Sequence, residues 1–398
     1  MESMSLQGIR VLEIGQLVAA PSATRILADF GADVIKVEPL EGDPLRHWGA
    51  MSPYGHSWWW SMQSRNKRLV AINLKHPTGQ HIIRELAKQS DVLIANLRPG
   101  RLAEWELDYE HLHALNPQLI YVDISGFGLT GPYRDRPGFG NIAEAMGGIR
   151  YITGFPDRPP VRTGVSLGDE LAALYAVIGI LIALVQRGRD GLGEHIDVSL
   201  VESVLAITEA LIPDYVNAGI IQERTGNQLL RAAPSNTYPT RDQQWIAIGA
   251  NSSATFAALT TVMQHPELVH DPRFSSNAQR VRHATELDTL IAAWTIEHDL
   301  SDLMQRLLQA GIPAGPVMSA RDIAEDVHIQ SRQMITYVPQ DNGEPTGMLG
   351  IVPKLTRHPG TVRWAGGAIG QHTDDVLTSL LHISPTELAV WRDQGIIR

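Results

Sequence analysis

The sequence predicts an α/β protein: a large Rossmann-like domain with a parallel sheet, plus a smaller α+β domain. Three observations carry that expectation. Short β-branched runs alternate with helix-forming text through the first half of the chain, the pattern of βαβ units whose parallel strands are covered on both faces. The chain has 398 residues, more than one hydrophobic core usually serves. A different texture, polar and then hairpin-like, begins near Asp214.

The elements follow in order. GIRVLEIG (8–15) is the first strand. Pro21 opens a helix, SATRILADFG, which Gly31 closes, because Pro suits the first helical turn and Gly the position after the last. ADVIKVEP is a second strand stopped by Pro39. RLVAINL (68–74), a helix from about Thr78 to Gln89, DVLIANL (91–97), a further helical stretch and QLIYVDISGFG (118–128) continue the alternation. Leu192 to Thr208 reads as a strand, HIDVSL, running into a helix. Asp214 to Pro234 is polar and irregular, a connecting arm, and NTYPTRDQQWIAIGA (236–250) is a hairpin around a polar turn. Amphipathic helices follow, with endings at HPELVHDPRF and AGIPAGP. Beyond Glu325 the text is irregular and rich in Gly and Pro until a helical tail from Thr373. The expected organisation is a large domain to about 200, a linker, a small domain to about 325 and a return segment.

Composition excludes several functions. Apolar residues make up 43% and charged residues 19%, enough to build ordinary globular cores. A net charge of -10 argues against a nucleic-acid partner, which needs clustered Lys and Arg. Any anionic ligand must be met by a local group of cations. The absence of cysteine excludes disulfides, thiol catalysis and cysteine-ligated metals. MESMSLQGIR lacks the basic and apolar regions of a secretory signal. The longest apolar run, Leu171 to Val185, is shorter than the ~20 residues that span a bilayer. A soluble, cytoplasmic protein with a buried core helix is expected, without membrane or nucleic-acid contact.

Several motifs bear on chemistry. In VRTGVSLGDELAALYAVIGILIALV (161–185), Asp169 and Glu170 stand at the mouth of an apolar segment. Ser166 and Asp169 fit the Ser-x-x-acid spacing of a helix cap, and an acid in the first turn suits the helix dipole. The first strand–turn–helix resembles a dinucleotide site, with Glu38 ending the second strand where a ribose-binding acid falls. Its turn, GQLVAAPSA, holds only Gly15 and lacks the further glycines that admit a pyrophosphate, which argues against a nicotinamide-dependent dehydrogenase. Arg65, Lys67, Arg68, Lys75, Arg98 and Arg101 flank the third and fourth strands. Arg65 to Arg68 read as solvated surface charges. Arg98, in NLRPG, follows a strand's carboxyl end, where open α/β sheets bind ligands, and both phosphate binding and simple solvation remain open for it. His76 with His81, and His111 with His113, lack a companion acid at metal-ligand spacing, so no metal site is expected. Trp58, Trp59 and Trp60 read as core before stacking platform. No Gly-x-Ser-x-Gly elbow supports serine hydrolysis.

Several stretches recur together, in order, in one known family: LQGIRVLEIGQLVAAP, LADFGADVIKVE, NKRLVAINLKHPTG, SDVLIANLRPG, LNPQLIYVDISGFGLTGP and VRTGVSLGDELAALYA. GNQLLRAAPSNTYPTRDQQWIAIGA, AGIPAGPV and GQHTDDVL extend the likeness over nearly the whole chain. The sequence resembles the class III coenzyme A transferases (CaiB/BaiF type), the family of formyl-CoA:oxalate and carnitine CoA-transferases. The resemblance implies an interlocked, ring-shaped homodimer. It also implies a large CoA-binding domain over 1–200 completed by 326–398, a linker over 201–225 and a small domain over 226–325.

It further implies that Asp169 is a covalent nucleophile, acylated by an acyl-CoA and then carrying CoA as an aspartyl thioester. The CoA contacts implied are Leu17, Val18 and Ala19 after the first strand, Ile72, Asn73, Leu74 and Lys75, then Asn96, Leu97 and Arg98, with Arg101 and Arg136 as neighbouring cations. Trp48, Phe139 and Gly140 are implied in the substrate pocket. CoA thioesters enter as substrates, with no tightly bound cofactor. Val18 occupies the place of a glutamine often found near the reacting carboxyl, and 225–260 lacks the glycine-rich substrate loop of formyl-CoA transferases, which counts against an oxalate/formate enzyme. Arg46, His47, Arg162 and Arg231, with Trp48, are candidates to receive a second carboxylate, favouring a short dicarboxylic acceptor. One alternative is an α-methylacyl-CoA racemase, whose base is a His in a GHD segment; PGFGNIAEAMGG has Phe139 and Gly140 there, and Phe cannot accept a proton. Another is a CoA-binding protein or acyl-CoA hydrolase without transfer.

Overall fold

A computed structural model describes residues 4–339 and 344–398. The chain divides into two compact units: Met1–Ile149, Thr163–Pro213 and Ser331–Arg398 form the first, and Arg150–Arg162 with Asp214–Gln330 the second.

The first unit is built on a six-stranded sheet. Its strands are β1 (Arg10–Ile14), β2 (Asp33–Glu38), β3 (Lys67–Ala71), β4 (Val92–Ala95), β5 (Ile120–Ser125) and β6 (His195–Ser199). They lie in the order β3-β2-β1-β4-β5-β6, and every neighbouring pair is parallel. Central strands buried on both faces need continuous apolar runs rather than alternation; VLIA of β4 meets that demand with all four residues buried. The strand order reverses between β1 and β4, the switch point beside which doubly wound sheets open a crevice at their carboxyl ends.

The helices between these strands and after β6 are α1 (Ala19–Asp29), α2 (Trp58–Gln63), α3 (Pro77–Lys88), α4 (Tyr109–Leu115), α5 (Gly140–Met146), α6 (Ile149–Ile152), α7 (Leu167–Asp190) and α8 (Leu200–Leu205), of which α6 falls almost wholly in the second unit. On one face, Ala19, Ala20 and Ala23 of α1 share a core with Ala172, Ala173 and Ala176 of α7. Small residues on both partners let two helices approach closely, so α7 lies tight against the sheet layer. On the other face Ile82, Ile83 and Leu86 of α3 pack with Leu93 and Tyr121. α7 extends the apolar run read from sequence to 24 residues, long and apolar enough to cross a bilayer by length and composition. Its Ala172, Ala176 and Ile180 are fully buried in the core described above.

α9 (Leu211–Ala218) lies at the unit boundary. The second unit holds an antiparallel sheet of β7 (Ser235–Pro239), β8 (Trp245–Gly249) and β9 (Ala314–Pro316). α10 (Ser253–Val262), α11 (Asn277–Arg282), α12 (Ala284–Thr295), α13 (Leu300–Gln309), α14 (Ala320–Glu325) and α15 (Val327–Ser331) accompany it. Its core gathers Tyr238, Ile246, Phe256, Phe274, Leu287 and Leu303. β10 (Ile335–Val338) and β11 (Thr346–Leu349) pair antiparallel in the first unit, which α16 (Thr373–Leu381) and α17 (Pro385–Asp393) complete.

The structure differs from the sequence reading at three places. The segment 201–225, expected to be a linker, carries most of α8, the helix expected to follow HIDVSL, and all of α9, whose eight residues are too short a run to show a helical period. Arg150–Arg162 groups with the second unit although 1–200 was expected to be continuous. The β10–β11 pair lies in text read as irregular, because four-residue strands beside Gly and Pro give no measurable alternation.

Candidate active site

The carboxyl ends of the parallel strands open into two neighbouring cavities within the first unit. One, of about 400 Å³, is lined by the ends of β1 and β2, by Ile72 to Lys75, and by Leu97 and Trp105. The other, of about 290 Å³, is lined by Gln16 to Ala19, Asn96 to Pro99, Ile124 to Gly126, Arg136 to Phe139, Asp169 and Leu200. Gln16 and Leu97 border both, so the two cavities meet at the switch point.

Asp169 reaches the second cavity from the first turn of α7, and it is half-buried. Ser166, at the N-cap of that helix, makes no side-chain capping bond, so the expected Ser-x-x-acid cap does not form. Around the carboxylate the backbone is unusually close. A Cβ built on Gly140 would lie 2.8 Å from Asp169 Cγ, and one on Gly168 would lie 2.9 Å from the Gly140 carbonyl oxygen. Gly126 and Gly138 approach each other similarly, with a Cβ on Gly126 only 3.0 Å from Gly138 Cα. Next to Asp169, Glu170 turns into the protein: Ser22 Oγ donates to its Oε1 at 2.9 Å, and Gln63 Nε2 donates to Ser22 Oγ at 2.6 Å.

The turn from β1 into α1 forms the shared wall. Leu17 is held at φ 63°, the left-handed region that a residue with a Cβ normally avoids. Asn96, an expected CoA contact, spends its side-chain amide on this turn. Its Oδ1 accepts from Gln16 N at 2.9 Å, and its Nδ2 donates to Gln16 O at 2.9 Å. Beneath the turn lies a buried ionic cluster. Lys36 Nζ is 2.7 Å from Glu13 Oε1 and 2.9 Å from Asp43 Oδ2, and Lys67 Nζ is 2.9 Å from Glu13 Oε2. Burial works to raise the Glu13 carboxyl, but the ammonium groups of Lys36 and Lys67, with hydrogen bonds from Lys36 and Thr24, outweigh it and hold the group at about 2. Burial depresses the Lys67 ammonium to about 8 despite the Glu13 charge. For Lys36 the carboxylates of Glu13, Asp43 and Glu38 overcome burial and raise it.

The residues expected to meet CoA divide between the two cavities. Leu17, Val18, Ala19, Asn96, Leu97, Arg98 and Arg136 line the second, and Ile72, Asn73, Leu74 and Lys75 line the first. Arg98 and Arg136 are exposed, and Arg136 lies 3.5 Å from the Tyr133 ring centroid. Arg101 lines neither cavity; it pairs with Glu104 at 2.5 Å and covers Trp105. Of the expected substrate residues, Phe139 borders the second cavity and Gly140 abuts Asp169, whereas Trp48 is 47% exposed and leans on Trp59.

The readings of Arg46, Arg65, Lys67 and Arg68 require correction. Arg46, offered as a receptor for a second carboxylate, is buried and already bound by both oxygens of Glu38, at 2.8 and 2.7 Å. Arg65, read as solvated, is fully buried in a bidentate pair with Asp29, and Lys67 is buried on Glu13. Arg68 is half-buried against Asp33. Arg231 pairs with Asp214 at 2.7 Å and belongs, like Arg162, to the second unit. Of the tryptophans, Trp60 is core and Trp58 is 41% exposed. Among the described residues no three metal-ligating side chains converge; His76 caps α3 and His111 binds Asp108.

Ser125, Gly126 and Trp105 also line the cavities and were not singled out in the sequence. The rule that drew attention to Arg98, position just past a parallel strand's carboxyl end, also points to Ser125 and Gly126.

Comparison with known proteins agrees with this architecture. The sequence profile of CoA-transferase family III matches residues 6–373. The chain is 47% identical over 393 residues to a succinyl-CoA–D-citramalate CoA-transferase of Chloroflexus aurantiacus, covering 98% of each chain. It is 37% identical over 399 residues to the beta subunit of a succinyl-CoA–L-malate CoA-transferase of the same organism, covering 99% of this chain and 98% of that one. A crystal structure of a CaiB/BaiF family protein from Brucella suis superposes with a TM-score of 0.86 at 33% identity, covering 95% of this chain and 100% of the other. The protein therefore belongs to CoA-transferase family III.

Proposed function

We propose that the protein moves CoA from an acyl-CoA donor to a short dicarboxylic acid through an aspartyl-CoA thioester on Asp169. The observation that carries this reading is the seat of Asp169: an acid in the first turn of an apolar helix, on the wall of a cavity that opens at the sheet's switch point. The similar proteins named above act on succinyl-CoA with D-citramalate or L-malate, which supports a dicarboxylic acceptor and a succinyl donor.

In this mechanism an Asp169 oxygen attacks the donor thioester carbonyl; the C–S bond breaks, giving an acyl-aspartyl anhydride and CoA thiolate. The thiolate attacks Asp169 Cγ, expelling the donor carboxylate and leaving CoA on the aspartyl group. The acceptor carboxylate then attacks Cγ and releases the thiolate, which takes the acceptor's acyl group and frees Asp169. Each step exchanges one carboxylate for one thiolate, so no net proton is needed. A carboxylate is a weak nucleophile in water, and the apolar side of α7 limits its hydration. The positive end of α7 favours negative charge developing beside Asp169. CoA lies across both cavities, with Ile72 to Lys75 at its adenosine end and Arg98 and Arg136 near its phosphates. Arg46 is committed to Glu38, so the acceptor's second carboxylate needs another partner, and His47 is the remaining first-unit cation of those proposed.

The functional unit we propose is the interlocked homodimer. An apolar stripe on α7 supports it: Leu174, Ile178, Leu181, Ile182 and Val185 are each at least 41% exposed, more apolar surface than one solvated helix normally presents. The racemase reading has no supporting base, since Phe139 stands where a histidine is required.

Hydroxylamine trapping tests the chemistry. Wild-type protein incubated with succinyl-CoA should yield an Asp169 hydroxamate detectable by mass spectrometry, absent in Asp169→Ala. Labelling of Asp169→Ala at the wild-type level would overturn the covalent role. CoA release into water at the transfer rate would favour hydrolysis instead.

A further inference from the structure

The turn between β1 and α1 is held, peptide by peptide, by side chains from elsewhere in the first unit, three of them buried. Lys36 Nζ donates to Gly15 O at 2.8 Å. Asn96 takes both the N–H and the C=O of Gln16. Asp43 accepts from Leu17 N, at 3.2 Å to Oδ1 and 3.3 Å to Oδ2. Gln63 Nε2 donates to Val18 O at 3.1 Å. Four consecutive residues are thus clamped, and the strained one, Leu17, is held by a carboxylate.

Asp43 is itself fixed with unusual completeness. It is buried, its Oδ2 meets Lys36 at 2.9 Å, and its Oδ1 also accepts from Leu45 N at 2.9 Å. The Lys36 ammonium donates to Glu13 and to Gly15 O and forms an ion pair with Asp43 at 2.9 Å. Burying such a cluster is costly unless every member is satisfied, and a connecting turn does not ordinarily call for it. This turn, however, forms the common wall of both cavities, through Gly15 and Gln16 in one and Gln16 to Ala19 in the other.

We infer that Asp43, with Lys36, is a positioning residue of the acyl-CoA site. It touches no cavity itself and acts through Leu17, whose left-handed backbone sets the direction in which Leu17 and Val18 face the ligand. Catalytic geometry tolerates little displacement, so loosening the turn weakens CoA binding. The inference rests on the assignment of these cavities to CoA.

Two measurements on Asp43→Ala and Asp43→Asn test it. Amide hydrogen exchange reports the clamp without any ligand. Calorimetry with CoA, and steady-state kinetics with succinyl-CoA and malate, report its effect on the site. In Asp43→Ala, exchange at Leu17 should accelerate at least tenfold. The Kd for CoA and the KM for succinyl-CoA should rise about tenfold, with the KM for malate changing less than twofold. Asp43→Asn keeps an acceptor oxygen for Leu17 and should recover most of the affinity. A purely structural role would lower the urea midpoint of both variants and leave the KM values unchanged, which overturns the proposal. Unchanged exchange at Leu17 overturns it as well. If Asp43→Ala does not fold, Asp43→Ser, whose shorter side chain carries no carboxylate for Leu17 N, takes its place with the same expected changes, and unchanged Leu17 exchange in it overturns the proposal. Wild-type protein that binds no CoA, with exchange accelerated in the variant, removes the CoA assignment and leaves the clamp standing.

Discussion

Gly140 and Asp169 are packed so closely that no side chain fits between them: a Cβ on Gly140 would fall 2.8 Å from Asp169 Cγ and nearer still to Oδ2. The peptide at 140 is part of the seat of the proposed nucleophile, and Gly140 itself is buried. Gly140→Ala must therefore rotate or shift the carboxylate. An off-rotamer side chain costs about 0.5–1.5 kcal/mol, and a displacement near 1 Å can reduce turnover about a hundredfold. We expect kcat to fall ten- to a hundredfold while calorimetric affinity for CoA stays within threefold. Unchanged kcat would show that the carboxylate's position against Gly140 is immaterial.

Arg65 supplies a second prediction. Its guanidinium is fully buried and grips both oxygens of Asp29, at 2.9 and 2.6 Å. Asn66 Nδ2 adds a third donor to the same carboxylate at 2.9 Å. Removing one member of such a group strands a buried charge, which costs about 3–5 kcal/mol. Arg65→Ala should lose that much in urea unfolding, and Asp29→Ala should add much less than its own single cost in the Arg65→Ala background. A loss below about 1 kcal/mol would restore the solvated reading of this arginine.

Why Arg65 and Lys67 were misjudged from sequence shows where such reading stops. The strands of the parallel sheet were legible because β-branched runs carry their own signal, and the βαβ alternation fixed the class of fold. A charged residue carries no comparable mark of its surroundings. Arg65 finds its partner 36 positions away and Lys67 finds Glu13 at 54, separations that only the folded sheet brings together. Asp169 was legible as an acid at a helix start, and composition alone could make it no more than a cap. The meaning of Gly140 was invisible, since a glycine matters through what approaches it.

Oligomeric state gives a third test. Ile182 and Val185 are 65% and 60% exposed on α7, in line with Ile178 and Leu174 one and two turns earlier. A second copy of this chain is the occupant that the proposed homodimer provides. Wild-type protein should sediment as a two-chain species at micromolar concentration. Ile178→Glu combined with Ile182→Glu should shift it to one chain, because two buried unpaired charges oppose burial of the stripe. A monomeric wild type would sink the homodimer.

The last prediction concerns acid stability and Glu13. Its carboxyl takes up a proton at about 2 in the folded protein against 4.5 when unperturbed. Between those values the unfolded chain binds the proton and the folded chain does not, so protonation favours unfolding. The stabilisation from this group is complete above about pH 5 and is lost as pH falls toward 2. A shift of that size corresponds to a few kcal/mol at most, on the order of 3. Lys67, held near 8, does not titrate in that range; other carboxylates do, so the comparison with a variant lacking the Glu13 carboxylate isolates its share. Urea midpoints measured from pH 6 to pH 3 should fall steeply for wild type. In Glu13→Gln the protein should be weaker at pH 6, because Lys36 and Lys67 lose their shared counter-charge, and its midpoint should fall less steeply with acid. Parallel slopes for the two proteins would mean that Glu13 does not remain ionised through the acid range, and that the cluster beneath the β1–α1 turn is held by some other balance of charge.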